Sequence, residues 1–297
     1  MIAAACLGMS SVGHAEDTVN LRYRFEAGAS VYYTVSDQSQ FKIDFGQATE
    51  TVQHGSQSLK HFTVRSVNAD GSATIELMID RAKMSKTQDG ETVTYDSAKD
   101  EKPPEAFVGV HQTIGRALIQ LEVTASGRVT KAKSLADNEG PAGNAAAPSD
   151  ESMIQIFPVL PESGTVAVGA EWDEDYGASV LLEKSMLKKT VKMRRHYQLE
   201  SVQEGKARIS VKTVVLTSRL EPSEEAQLVA KIRQGTILFD VNAGLVASRE
   251  LKVKNTAVGF QGPQSAINLE SVSQETLVPE EKLGAIRAAS AEKKLTK

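Results

Sequence analysis

The stretch Lys60-His61-Phe62-Thr63-Val64-Arg65-Ser66-Val67-Asn68-Ala69-Asp70-Gly71-Ser72-Ala73-Thr74-Ile75-Glu76-Leu77 decides the fold. Phe62 and Val64 fall on one face of a strand, Asn68 to Gly71 is a turn, and Ala73 onward alternates back, which is the pattern of a half-buried β-hairpin. The same hairpin is written a second time. Arg195-His196-Tyr197-Gln198-Leu199-Glu200-Ser201-Val202 matches Lys60 to Val67, and Gly205-Lys206-Ala207-Arg208-Ile209-Ser210-Val211 matches Gly71 to Leu77 across a turn one residue shorter. Further along, Leu121-Glu122-Val123 with Gly127 and Val129 is answered by Phe239-Asp240-Val241 with Gly244 and Val246, and Gly28 with Val31 by Gly169 with Trp172. Matches that keep their order over so much chain predict an internal duplication.

Outward from these hairpins the chain stays strand-rich. Asn20 to Phe25, Val31 to Val35, Phe41 to Phe45 and Thr92 to Tyr95 all alternate or carry β-formers between turns, and Ile267 to Val272 gives a last strand. Two runs break the rhythm. Phe107, Val110, Ile114 and Leu118 recur at helical spacing after Pro103-Pro104, with Gly109 and Gly115 weakening the helix by about 1 kcal/mol each. Glu221-Pro222-Ser223-Glu224 opens the matching run with Leu228, Val229 and Ile232. The expected fold class is therefore mainly β: two duplicated antiparallel β units, of half-barrel or curved-sheet type, each with one short helical insert. The expected divisions are 1–15 as signal peptide, 16–136 as first repeat, 137–164 as mobile linker and short apolar helix, 165–278 as second repeat, and 279–297 as a polar tail.

Of 297 residues, 40% are hydrophobic and 24% charged, which suits a globular core rather than disorder. A net charge of −4 and 5% aromatics give neither the basic footprint nor the stacking platform of a nucleic-acid binder. No run approaches the length of a transmembrane helix. At the N-terminus, an apolar run from Ile2 to Met9 and Gly13-His14-Ala15 predict signal cleavage after Ala15, hence an extracytoplasmic, periplasmic or secreted protein. Cys6 is the only cysteine, and it lacks the leucine expected three residues before a lipid-anchored cysteine. A chain cut after Ala15 has no thiol for a disulfide, a zinc site or a nucleophile.

The middle of the chain holds the seam between the two units. Asp137 to Pro148 is rich in Gly, Pro and Ala, and Met153-Ile154-Gln155-Ile156-Phe157-Pro158-Val159-Leu160-Pro161 follows as a dense apolar segment. Its early part predicts a short helix capped by Ser149 or Asp150, and the dense segment is expected to pack against both halves as a plug or lid. The candidate ligand-lining residues are Met153, Ile156, Phe157, Leu160 and Trp172.

Leu21-Arg22-Tyr23 with Gly28, Ile156-Phe157-Pro158 to Leu160-Pro161, Val168-Gly169 with Trp172, and Phe239-Asp240 before Gly244 together resemble a family of exported bacterial proteins known only as a domain of unknown function. The resemblance implies an extracytoplasmic location and an all-β fold. It supplies no catalytic residues.

Residues of chemistry are sparse. His61 and His196 hold equivalent places and have no partner at a metal-ligand spacing, so both read as strand residues. Glu171-Trp172-Asp173-Glu174-Asp175 is acidic, but Gly177 and Ala178 spoil a calcium loop. Alternation splits the basic run Lys184 to Arg195 over two faces. No nucleophile elbow, phosphate loop or dinucleotide fingerprint occurs. The sequence leans away from an enzyme, with no catalytic, metal or cofactor residue to nominate. It suggests a binding protein holding a lipid, a lipoprotein segment or another apolar or extended ligand between its halves. The alternatives are an envelope scaffold that pairs through its sheet edges, and a hydrolase.

Overall fold

The computed structural model describes residues 18–135, 156–183, 185 and 187–284. The expected signal peptide, Met153, the linker up to residue 155 and the tail from residue 285 lie outside the described residues. The first half contributes β1 (Thr18–Asn20), β2 (Ser30–Asp44), β3 (Thr49–Val67), β4 (Ala73–Gln88), β5 (Glu91–Asp96), β6 (Ala117–Val123) and β7 (Val129–Ser134). The second contributes β8 (Thr165–Ala167), β9 (Glu171–Leu181), β10 (Lys188–Gln203), β11 (Lys206–Val215), β12 (Gln234–Asp240), β13 (Leu245–Val258) and β14 (Ala266–Leu277). The described residues also include the short helices α1 (Val108–Thr113), preceded by a 3-10 turn at Glu105–Phe107, and α2 (Pro222–Leu228).

β1 and β8 form a two-stranded sheet, and the other strands form one 12-stranded antiparallel sheet. Its order is β7-β6-β4-β3-β2-β14-β13-β12-β11-β10-β9, with β5 on the flank of β4. The strands matched in sequence recur in the same spatial order: β7-β6-β4-β3-β2 on one side, β13-β12-β11-β10-β9 on the other, and β14 between them. Every ladder is antiparallel, so equivalent strands also share direction. The equivalence reaches single residues. Gly28 N–H donates to Val64 O and Val64 N–H to Ala29 O, while Gly169 N–H donates to Leu199 O and Leu199 N–H to Ala170 O. A bulge sits at Arg65 in β3 and at the matching Glu200 in β10.

The large sheet is open, since β7 and β9 end it without pairing to each other. It curls enough for both halves to build one core: Phe62, Val64 and Ile75 share a cluster with Tyr197, Leu199, Ile209 and Phe239. One continuous sheet thus replaces the open choice between two domains and one sheet. Leu228 of α2 packs on Ala178, Val180, Val191 and Met193, and the next residue, Val229, packs on Val253, Ala257 and Leu269. Glu221 and Glu224 form a capping box at the start of α2.

Two expectations need correction. The helix read over Glu105 to Leu118 ends at Thr113, because Gly115 takes φ +74° and Leu118 belongs to β6. Asn20 to Phe25 alternates as predicted, with Leu21 and Tyr23 buried, but beyond β1 it pairs with no strand. It runs extended between turns instead: Leu21 N–H donates to Gly164 O, Tyr23 N–H to Ala125 O and Arg24 N–H to Gly244 O. The short helix read between Ser149 and Phe157 falls mainly on residues outside the described ones; Ile156 to Pro161 runs in bends and irregular backbone, where Pro158 and Pro161 were expected to end it.

Candidate functional site

The seam segment is threaded through the core. Tyr23 Oη donates to Pro158 O at 3.0 Å, Leu160 N–H to Ser126 O at 2.8 Å and Trp172 Nε1–H to Val159 O at 2.7 Å. The Phe157 ring meets Tyr23 edge-on at 5.5 Å and Phe62 at 5.2 Å, while Trp172 stacks on Tyr197 at 5.6 Å. Burial, with Tyr33 as the next cause, pushes the Tyr23 hydroxyl well above its ordinary range, so it stays a neutral donor. Beneath the seam lies an apolar cavity of about 30 Å³, room for a water or two and not for an acyl chain. Ile156, half-buried, and Phe157, buried, line it with Tyr23, Tyr33 and Phe62. Leu160, 1% exposed, and half-buried Trp172 are core residues away from that lining.

The large concavities lie on the opposite, outer face of the sheet. Strand alternation puts Tyr33 and Phe62 inward and their neighbours Thr34 and Leu59 outward. Register then lines up cross-strand rows on that outer face. Thr276, Thr34, Leu59 and Arg81 make one row, and Gln274, Ser36, Gln57 and Lys83 the next. With Asp96, Ala98 and Lys99 beside them, these rows form a groove of about 800 Å³. The following row, Val272, Gln38, Gly55 and Ser85, lies in a second groove of about 630 Å³. At Gly55 a Cβ would stand 2.8 Å from Ser85 Oγ, so the lack of a side chain there keeps the two strands in close contact. The floor of both grooves is chiefly Thr, Ser and Gln.

Sequence reasoning passed over these rows because no motif marks them. Their one signal is chemical: the outward positions in the middle of β2, Thr34, Ser36, Gln38 and Gln40, are uncharged where a solvated strand commonly carries Lys or Glu.

Each of the two equivalent histidines has a carboxylate partner. His61 Nδ1 lies 2.7 Å from Asp80 Oδ2, with the ring against Tyr32, and Asp80 stands on the groove wall. His196 Nδ1 lies 2.8 Å from Asp173 Oδ1. The partner comes from the following strand in one case and the preceding strand in the other, so the histidines repeat and the pairs do not. His111 Nδ1 meets Tyr95 Oη at 2.7 Å.

The acidic stretch is divided by its pleat. Asp173 and Asp175 face outward and pair with Arg194, while Glu174 turns inward to Arg195. The basic run divides likewise: Lys189 bonds buried Glu224 on the inner side, and Arg194 stays outside.

No family model and no curated protein matches the chain. Among solved structures it is similar to lipovitellin, from work on lipid–protein interactions in that protein, with a TM-score of 0.46, 9% identity, and 86% of this chain and 26% of that chain covered. It is also similar to DynF of the dynemicin biosynthesis pathway of Micromonospora chersina (TM-score 0.22, 7% identity, 95% of each chain). A third is a DUF1329 family protein from Desulfovibrio piger (TM-score 0.14, 8% identity, 83% of each chain). The chain spans 26% of the length of the lipovitellin chain it matches. No described helix is long and apolar enough to cross a membrane.

Proposed function

We propose that this is an exported, non-enzymatic binding protein that holds an extended ligand, such as a lipoprotein segment, along the outer-face groove across β14, β2, β3 and β4. One contrast carries the reading. The groove offers about 800 Å³, within the range of ligand sites, whereas the apolar cavity beneath the seam offers about 30 Å³. Thr34, Ser36, Gln57, Gln274 and Thr276 supply donors and acceptors at strand spacing, which suits a ligand lying across the rows. The N-terminal apolar run ahead of Ala15 supports export. An acyl chain between the halves would require Phe157 to leave the core. Pairing through sheet edges is opposed by charge on the outermost strands: Lys131 and Lys133 on β7, and Glu171, Asp173 and Asp175 on β9.

Native mass spectrometry of the purified full chain tests the reading. A bound mass is expected in the native protein, and it should be lost in Ser36→Trp, which fills the middle of the groove floor with a residue strands accept. A ligand retained by a folded Ser36→Trp protein would sink the proposal, as would the lack of any bound species.

A further inference from the structure

On the second unit's side of the seam, the inner face gathers positive charge. Arg195, Arg233, Arg249 and Lys231 line a cavity of about 80 Å³ with the hydroxyl residues Thr213 and Ser273, and no described carboxylate lines it. Distant parts of the chain build it. Arg195 of β10 stands opposite Thr213 of β11, Arg249 comes from β13 and Ser273 from β14. Lys231 and Arg233 arrive on the loop after α2, which Thr213 N–H holds through Arg233 O at 2.7 Å.

Acids behind the wall neutralise part of this charge. Arg195 Nη1 donates to Glu174 Oε2 at 2.7 Å, Tyr197 Oη donates to the same oxygen at 3.1 Å, and Arg249 pairs with Glu275. Arg195 is 8% exposed, yet its buried Nη2 has no hydrogen-bond partner. Arg233, at the exposed rim, gives its Nε–H to Ala230 O at 2.9 Å. A buried guanidinium N–H without a hydrogen-bond partner, set among further cations, is a place where an incoming anion is stabilised.

We propose that this cavity binds a phosphate group, either free phosphate or the headgroup of a lipid. Guanidinium forks present paired donors that match phosphate oxygens, and the Thr213 and Ser273 hydroxyls can complete a tetrahedral set. The volume admits a group of a few heavy atoms and little more. The cavity shares Phe157, Pro158 and Arg249 with the apolar cavity beside it, so a bound headgroup would lie against apolar side chains. The site is on the opposite face from the groove and stands independently of it.

Calorimetric titration of the full chain tests the proposal, using inorganic phosphate, dihexanoyl phosphatidic acid and dihexanoylglycerol. Saturable binding of phosphate or of the phosphatidic acid is expected, weakened about tenfold by Arg233→Gln, the loss expected for one charged hydrogen bond. Arg233 is exposed, so this variant should melt without ligand no lower than the native protein, and Arg208→Gln, on the exterior, should bind as the native protein does. Free phosphate binding as tightly as the lipid points to the free anion, and preference for phosphatidic acid points to a headgroup. The proposal is overturned if neither phosphate compound saturates, if Arg233→Gln binds both unchanged, or if dihexanoylglycerol binds as well as phosphatidic acid.

Discussion

Glu275 shows how much one inward side chain can decide. It is 6% exposed on β14, 2.8 Å from Lys60 Nζ and hydrogen-bonded to Arg249, so one carboxylate serves cations from β3 and β13. Burial by itself would push its carboxyl up; Arg249 and Lys60 more than offset that and hold it below the usual glutamate range. A depressed folded value means stability fully present above the unfolded pKa, about 4.3, and lost as the pH falls through the folded value. Glu275→Gln should therefore cost about 3 kcal/mol in denaturant unfolding at pH 7, since two cations are left enclosed without their anion. The gap from the native protein should close in acid. Equal stability at pH 7 would show the carboxylate to be dispensable. None of this was legible beforehand: the last strand was read only over Ile267 to Val272, and only the register of the longer β14 brings Lys60 and Arg249 to Glu275. Phe62, Val64, Tyr197 and Leu199 were legible as core because alternation depends on neighbours alone.

Among elements, strands and turns were read better than the path between them. The hairpins, the second helical insert and the paired turn glycines follow from local chemistry. The extended Leu21–Phe25 segment does not, because alternation cannot say which backbone groups a strand will meet. This segment passes the equivalent turns of both units. At Gly127, with φ +83°, a Cβ would stand 2.4 Å from Tyr23 Cε2 and 2.5 Å from Pro158 O; at Gly244, with φ +64°, it would stand 2.7 Å from the Arg24 amide nitrogen. Gly90 has the same φ of +83° with nothing within 4 Å. Gly90→Ala should lose about 1–2 kcal/mol from the left-handed backbone alone. Gly127→Ala and Gly244→Ala should each lose about 2 kcal/mol more through overpacking. Denaturant titrations showing all three alike would mean that the segment yields freely at both turns. The outer-face groove was illegible for a related reason: its rows exist only once β14, β2, β3 and β4 are in register.

For the whole molecule, the duplication was visible in sequence, whereas the way its copies join was not. Their shared core predicts a single unfolding transition despite the length of the chain. Trp172 fluorescence, which reports on the second unit, and far-ultraviolet circular dichroism, which reports on all strands, should give coincident denaturation curves; two separated midpoints would mean that the copies fold alone. What joins them is β14, paired to β2 on one side and β13 on the other. Of the fourteen described strands it is the last to be synthesised, and its partner β2 is among the first. Until then a nascent chain carries two long strands with unsatisfied backbone edges, each a template for pairing with a neighbour. Closure over so great a sequence separation is intrinsically slow. A polypeptide built this way gains from being kept unfolded until its final strand is available.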